Sequence, residues 1–216
     1  MNVIGLDIGT TTLALAKALV RDGKALKLIT KTNPQRVFGA DVISRIDYCK
    51  KNSVKPLKDI LLNEINEMLK EMEISKPCPL FVSGNTCMLH FFFGEDASPL
   101  GTYPYTPVFL DGKTVSGEAL GLEKVSVVKS LPCISSFVGA DLTAGLVFTE
   151  KPKRNKYNIL IDLGTNAEIL IFSENKLICT SAAAGPCFEG GNISCGMSAC
   201  NGAIYSFSID GNGKKN

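Results

Sequence analysis

One short pattern occurs twice in the chain, and it constrains the fold more than any other feature. Val3-Ile4-Gly5-Leu6-Asp7-Ile8-Gly9-Thr10-Thr11 returns as Asn158-Ile159-Leu160-Ile161-Asp162-Leu163-Gly164-Thr165-Asn166. Each copy is an apolar run of strand character closed by Asp, an aliphatic residue, Gly and Thr. The segments after each copy repeat as well. The first copy leads into an apolar-rich stretch over 12–20, the turn Arg21-Asp22-Gly23-Lys24, and a further run over 25–30. The second leads into 167–172, the turn Ser173-Glu174-Asn175-Lys176, and 177–180. Asp-Gly favours a tight hairpin because Gly accepts positive φ. Each copy is therefore expected to open a three-stranded meander, one supersecondary unit used twice.

Between the copies the periodicity changes. Residues 40–52 and 57–72 have helical spacing, the second with apolar residues at Leu57, Ile60, Leu61, Ile65, Met68, Leu69 and Met72. Pro56 stands just ahead of that helix, where a missing N–H costs little. Residues 80–82 read as a strand running into Gly84-Asn85-Thr86 and a helix over 87–93. Residues 101–110, with Pro104 and Pro107, read as surface loop. A strand over 125–128 and a helix over 139–148 complete the stretch. The first half thus reads β-β-β-α-(α)-β-α-β-α, and the second begins β-β-β. The expected division is 1–152 and 153–216, with Lys151, Lys153, Arg154 and Lys156 in a solvated linker.

An Asp-x-Gly-Thr at the end of a buried strand has a specific chemical use. Gly lets the backbone turn sharply and approach an anion closely. Successive N–H groups of such a turn form a concavity for phosphate oxygens, and Thr hydroxyls add donors. The Asp would repel phosphate directly, so it belongs with Mg²⁺, usually through water. One such loop is a weak signal; two facing each other across a cleft can hold both ends of a triphosphate.

Composition removes other classes. The formal charge is +2 with no long run of one sign, so no electrostatic footprint for nucleic acid or membrane is present. No apolar stretch approaches the roughly 20 residues of a membrane helix. The start reads as a strand interrupted by Asp7 rather than a leader, and a cytoplasmic location is expected. The eight cysteines lack C-x-x-C spacing and are expected as reduced thiols. The spacings of Cys187, Cys195 and Cys200 match no zinc or ferredoxin pattern.

Duplicated Asp-x-Gly-Thr hairpins on a β-β-β-α-β-α-β-α half resemble the actin/Hsp70/hexokinase superfamily. Further segments narrow the resemblance: Asn33-Pro34-Gln35, Phe38-Gly39-Ala40-Asp41-Val42-Ile43-Ser44-Arg45, Gly84-Asn85-Thr86-Cys87-Met88-Leu89-His90, Phe137-Val138-Gly139-Ala140-Asp141, and Ala183-Ala184-Gly185-Pro186-Cys187-Phe188-Glu189-Gly190-Gly191. In that order they resemble the ATPase domain of the reductive activators of corrinoid-dependent enzymes, over nearly the whole chain. The resemblance implies an α/β, actin-like (ribonuclease H-like) fold, with one complete half and the start of a second. It implies ATP and Mg²⁺ as ligands, and ATP-driven reduction of cob(II)amide to cob(I)amide. A corrinoid protein or a corrinoid-dependent methyltransferase is the expected partner, and a homodimer is left open. Members carry an iron–sulfur cluster in a ferredoxin-like domain. Neither that domain nor an adenosine-binding Gly-rich segment is expected here, nor a cluster in this chain.

The phosphate loops implied are Asp7, Gly9, Thr10, Thr11 and Thr12, then Asp162, Gly164, Thr165 and Asn166, with Asp7 and Asp162 toward the metal. Asp141 either favours its helix start or, as the resemblance implies, faces the cleft as a catalytic residue. Asn85 either caps a helix or lines the cleft. Glu189 sits in a Gly-rich loop that could close over the nucleotide or form an interface. Asp41 either starts a helix, with Arg45 paired to it at i+4, or meets a partner domain. His90, before three phenylalanines, is expected in the core or an interface. A small-molecule kinase of the same superfamily and a non-catalytic docking module are the alternative functions.

Overall fold

The first apolar run forms strand β1 (Asn2–Ile8), and its alternation sets the layers of the protein. Ile4, Leu6 and Ile8 are buried on one face, while Gly5 and Asp7 project to the other. In this computed structural model, which describes residues 2–21, 23–149, 156–164, 166–184, 194, 196, 197 and 202, β1 pairs antiparallel with β2 (Thr12–Leu19). β2 pairs in turn with β3 (Ala25–Thr32), completing the expected meander. Gly23 turns the chain between them at φ 65°; Asp22 lies outside the described residues.

Parallel crossovers place β4 (Cys78–Gly84) beside β1 and β6 (Val125–Ser130) beside β4. A short β5 (Thr114–Ser116) closes the edge antiparallel to β6, giving the order β3-β2-β1-β4-β6-β5. Three residues are too few to display a period of two, so no sequence pattern announces β5.

Helices α1 (Val42–Asn52), α2 (Lys55–Glu71) and α3 (Thr86–Phe93) share one hydrophobic core with the Ile4, Leu6 and Ile8 face. α1 opens on a capping box: Asp41 Oδ1 accepts from the Ser44 N–H at 2.7 Å, and Ser44 Oγ lies 3.2 Å from the Asp41 N–H. α2 buries Leu57, Leu61, Ile65, Met68 and Leu69, spaced as an apolar stripe requires. All residues of α3 are buried, so it runs through the core with no solvent face. Residues 101–110 hold only the end of a 3-10 turn, Ser98–Gly101, and are otherwise irregular as expected.

His90 fixes that irregular segment to α3. Its Nε2 accepts from the Val108 N–H at 3.0 Å, which leaves Nδ1 to donate to Thr86 O at 2.7 Å. Phe109 stacks on the ring at 4.4 Å between centroids. Both nitrogens are thus committed in the neutral tautomer, and the structural reading of this residue holds. Burial pulls the imidazole below the ordinary histidine value, with Lys113 adding to the effect. The Thr86 carbonyl, Glu95 and Asp96 oppose it.

The opposite sheet face carries α4 (Ala140–Phe148), which touches β4 and reaches a second sheet. That sheet is the second meander, β7 (Asn158–Leu163), β8 (Asn166–Phe172) and β9 (Leu177–Ala183), in the order β7-β8-β9. Val138 and Leu142 pack with Leu170 and Phe172 on β8, so α4 is the layer between the two sheets. Its start is pressed against the β4–α3 junction. A Cβ on Gly139 would lie 2.3 Å from Asn85 Cα and 2.6 Å from Gly84 O, and neither backbone atom can yield. The basic residues Lys151, Lys153 and Arg154, and the expected division at 152/153, lie outside the described residues.

Two outcomes follow from this packing. Gly139→Ala should destabilise the chain by about 1–3 kcal/mol, as overpacking does, measured by urea unfolding; wild-type stability would show that α4 does not seat as described. His90 is the sole histidine, so its proton-coupled ring shifts are a clean NMR probe. Its midpoint should fall below 6.5, the ordinary value. Because the folded-state value is depressed, this group's stabilising contribution is present above 6.5 and is lost as pH falls through the lower folded-state value.

Candidate functional site

The tip of the first hairpin is held from several directions. The Gly9 N–H donates to Thr12 O at 3.0 Å, and a Cβ on Gly9 would sit 2.7 Å from that oxygen, so only Gly fits the turn. Asn33 Nδ2 donates to Gly9 O at 2.8 Å, and the Asn33 N–H donates to Thr11 O at 2.8 Å. Arg45 Nη2 donates to Thr10 O at 2.7 Å and its Nε to Gly39 O at 3.0 Å. The i+4 pair of Asp41 with Arg45 therefore does not form. Asp41 is spent on capping α1, and Arg45 turns inward beneath the hairpin.

Asn85 satisfies both of its readings at once. Its Oδ1 caps α3 by accepting from the Met88 N–H at 2.9 Å, a cap worth ~1 kcal/mol. The other end of the same amide, Nδ2, reaches Thr10 Oγ1 at 3.3 Å. Cap and hairpin are thereby joined.

The second hairpin repeats the first with a tighter turn. The Gly164 N–H donates to Asn166 O at 2.9 Å. Asp162 lies directly opposite Glu168 in the β7–β8 register, where Asp7 of the first hairpin lies opposite Ala14. Ser181 Oγ donates to Glu168 Oε1 at 3.3 Å.

These two tips and the start of α4 wall a single polar cleft. Asp7, Gly9 and Thr10 come from one hairpin, Asp162, Gly164, Asn166 and Glu168 from the other, and Asn85 and Asp141 lie between. No basic residue lines it among the described residues. Burial raises the Asp7 carboxyl above the ordinary range; Ser83 opposes this by donating at 3.1 Å, and Asp162 adds to it. Asp141 is pushed up to about 6 by burial, then by Asp7 and Asp162, against the Leu142 N–H bond to its Oδ1. Glu168 is pushed up to about 7 by burial, then by Asp141 and Asp162. Neighbouring carboxylates thus make Asp7, Asp141 and Glu168 harder to ionise, and a cation in the cleft would relieve them.

The donor set fits a hydrated Mg²⁺. Among the described residues no three His, Cys, Asp or Glu side chains converge closely enough to ligate one ion directly. A ring of carboxylates around open space suits an ion that keeps its water shell.

Of the residues expected from sequence, the structure gathers Asp7, Gly9, Thr10, Asn85, Asp141, Asp162, Gly164 and Asn166 on the cleft wall. Thr11 and Thr12 complete the first turn and enter β2. Thr165, Glu189, Cys187, Cys195 and Cys200 lie outside the described residues. Cys49, Cys78, Cys87 and Cys133 are buried free thiols, and Cys179 is half-buried and free. Glu168 is the cleft residue that the motif does not flag. Its signal was available in the alternation of Asn166 and Glu168 along an otherwise apolar strand.

Known proteins match this arrangement. The chain is 31% identical over 221 residues to the corrinoid activation enzyme RamQ of Eubacterium limosum, covering 98% of this chain and 37% of that protein. It is 27% identical over 225 residues to a Methanosarcina barkeri reductase of a Co(II) methylated amine-specific corrinoid protein, covering 98% and 41%. A solved reductive activator for corrinoid, iron-sulfur protein superposes with a TM-score of 0.86 at 34% identity, over all of this chain and 36% of that one. The chain spans well under half the length of these relatives. Its fold is that of the actin-like ASKHA ATPases. Residues 3–153 match the model of the RACo middle region and residues 156–216 that of the C-terminal domain of RACo, the ASKHA domain, so the chain belongs to the RACo family.

Proposed function

We propose that this chain is the ATP-binding module of a reductive activator, which couples ATP hydrolysis to reduction of cob(II)amide to cob(I)amide in a corrinoid protein of methyl transfer. The observation that carries the reading is the meeting of Asp7 and Asp162, on the two copies of one repeat, across a cleft that also receives Asp141. The relatives, named for corrinoid activation and reduction, support the redox half of the proposal. The iron–sulfur centre that members of this family carry in a ferredoxin-like domain would supply the one electron that takes cobalt(II) to cobalt(I). The proposed partner is a corrinoid protein or a corrinoid-dependent methyltransferase, and a homodimer is compatible with either. The free thiols suit a reducing, cytoplasmic setting. The proposed division of the chain is 1–152 and 153–216, which the separate family matches support.

In this reading Gly9 and Gly164 shape the two turns, the donors of Thr10, Thr11 and Thr12 hold one end of the phosphate chain, and those of Thr165 and Asn166 hold the other. Bound Mg²⁺ supplies positive charge against the phosphates. Asp7 and Asp162 would hold that ion through its waters, and Asp141 would position the attacking water from the start of α4. Asn85 fixes the Thr10 hydroxyl, and the Gly-rich stretch that carries Glu189 either closes over the nucleotide or forms an interface.

Asp7→Ala and Asp162→Ala should each weaken Mg²⁺-dependent ATP binding by about 10–100-fold, the usual cost of losing a group that orients a metal's ligands. Calorimetry with and without Mg²⁺ reads this, and unchanged affinity in either variant contradicts the assignment. A pH series supplies an independent test. Asp141 and Glu168 are raised from 3.8 to about 6 and from 4.5 to about 7. Their protonated forms therefore favour the metal-free fold at low pH, and that contribution is lost as pH rises through 6–7. Mg²⁺ should raise the melting temperature more at pH 8 than at pH 5; an equal shift at both would show that these carboxylates do not face the ion.

A further inference from the structure

Arg45 is 0% exposed, and a buried arginine ordinarily faces a carboxylate. Here the hydrogen-bond partners are Thr10 O at 2.7 Å, Gly39 O at 3.0 Å and Met88 Sδ at 3.5 Å. None carries a charge. Cys87, a buried thiol, and Asp41 act on it electrostatically, and the Asp41 carboxylate is committed to the Ser44 N–H and hydroxyl at the start of α1. Burial pulls the guanidinium down to about 10, which still leaves it cationic at neutral pH. A positive charge is thus kept beneath the first hairpin with no anion bonded to it among the described residues.

The hairpin side shows what the charge serves. Three consecutive carbonyls, those of Gly9, Thr10 and Thr11, are held by Asn33 Nδ2, Arg45 Nη2 and the Asn33 N–H. Asn33 is itself fully buried, and its Oδ1 is fixed by the Gln35 N–H at 2.9 Å. In a planar trans peptide the carbonyl and the following N–H point to opposite edges. Anchoring these carbonyls on the buried side therefore turns the N–H groups of Thr10 and Thr11 to the other edge of the loop, while Thr12 faces Gly9 across the hairpin. Asp7, Asp141, Asp162 and Glu168 on the cleft wall all repel phosphate, and Arg45 sets a positive charge behind the first hairpin against them.

We propose that Arg45 is the positioning residue of the first phosphate loop, gripping its carbonyls from the core and placing a buried positive charge beneath the bound phosphates. The inference rests on the nucleotide reading of the cleft. It assigns phosphate affinity to a side chain that never touches the ligand. Lysine would keep the charge but lose the fork that spans Gly39 O and Thr10 O. Methionine would keep much of the length and lose both.

The test compares the 216-residue chain with Arg45→Met and Arg45→Lys in two measurements. The first is amide hydrogen exchange over residues 9–12 without ligand. The expected result is exchange about tenfold faster in the methionine variant, confined to the loop, as loss of a charged hydrogen bond implies. The second is calorimetric affinity for MgATP and for magnesium tripolyphosphate. Both should fall about tenfold or more in the methionine variant and recover in part with lysine. Unchanged loop exchange, acceleration spread evenly over the molecule, or unchanged affinity overturns the proposal. If the methionine variant does not fold, lysine decides: wild-type exchange and wild-type affinity there also overturn it. Absence of MgATP and tripolyphosphate binding in the unmodified chain would instead count against the nucleotide reading, and the loop exchange would still decide the role of Arg45.

Discussion

Repulsion among Asp7, Asp141, Asp162 and Glu168 is the interaction on which the arrangement turns. Isolated, these carboxylates would disperse into water; here two hairpins and a helix start hold them around one cleft. The raised pKa values of Asp7, Asp141 and Glu168 express the strain, as burial first and neighbouring carboxylates second disfavour their ionised forms. A protein tolerates such a cluster when a cation shares it, and the same charges then become the means of holding that cation. Arg45 beneath the first hairpin is the complement: positive charge on the side where the negative ligand is proposed to lie.

The scaffold supplies the rigidity that the cluster demands. β1 and β4 run parallel through the centre of the larger sheet and deliver Asp7 and the Gly84–Asn85 junction to the same edge. α4 fits between the sheets only because Gly139 lacks a side chain where it meets Asn85, and that contact sets the position of Asp141. Val138 and Leu142 anchor the second sheet through Leu170 and Phe172. The site is thus a direct product of close packing at one glycine and one small apolar cluster.

Much of this was legible from sequence because it depends on local chemistry. The repeated Asp-x-Gly-Thr announced both hairpins, Gly23 announced the turn between β2 and β3, and the stripe on α2 announced its buried face. What escaped depends on distant contacts. Arg45 looked like an i+4 partner for Asp41, since nothing local says that it turns inward to a hairpin 35 positions earlier in the chain. Glu168 lies six residues past Asp162, and only the β7–β8 register shows that the two face each other. Asn85 read as either a cap or a cleft residue; the two ends of one amide serve both.

The central claim is that both copies of the repeat grip one ligand. Paramagnetic broadening of backbone amides by Mn²⁺-ATP tests it directly, with Mn²⁺ standing in for Mg²⁺. The account predicts that resonances of residues 7–12 and 162–168 broaden together, at the same substoichiometric Mn²⁺, while those of α2 stay sharp. Broadening confined to one hairpin, or absent from both, would contradict it.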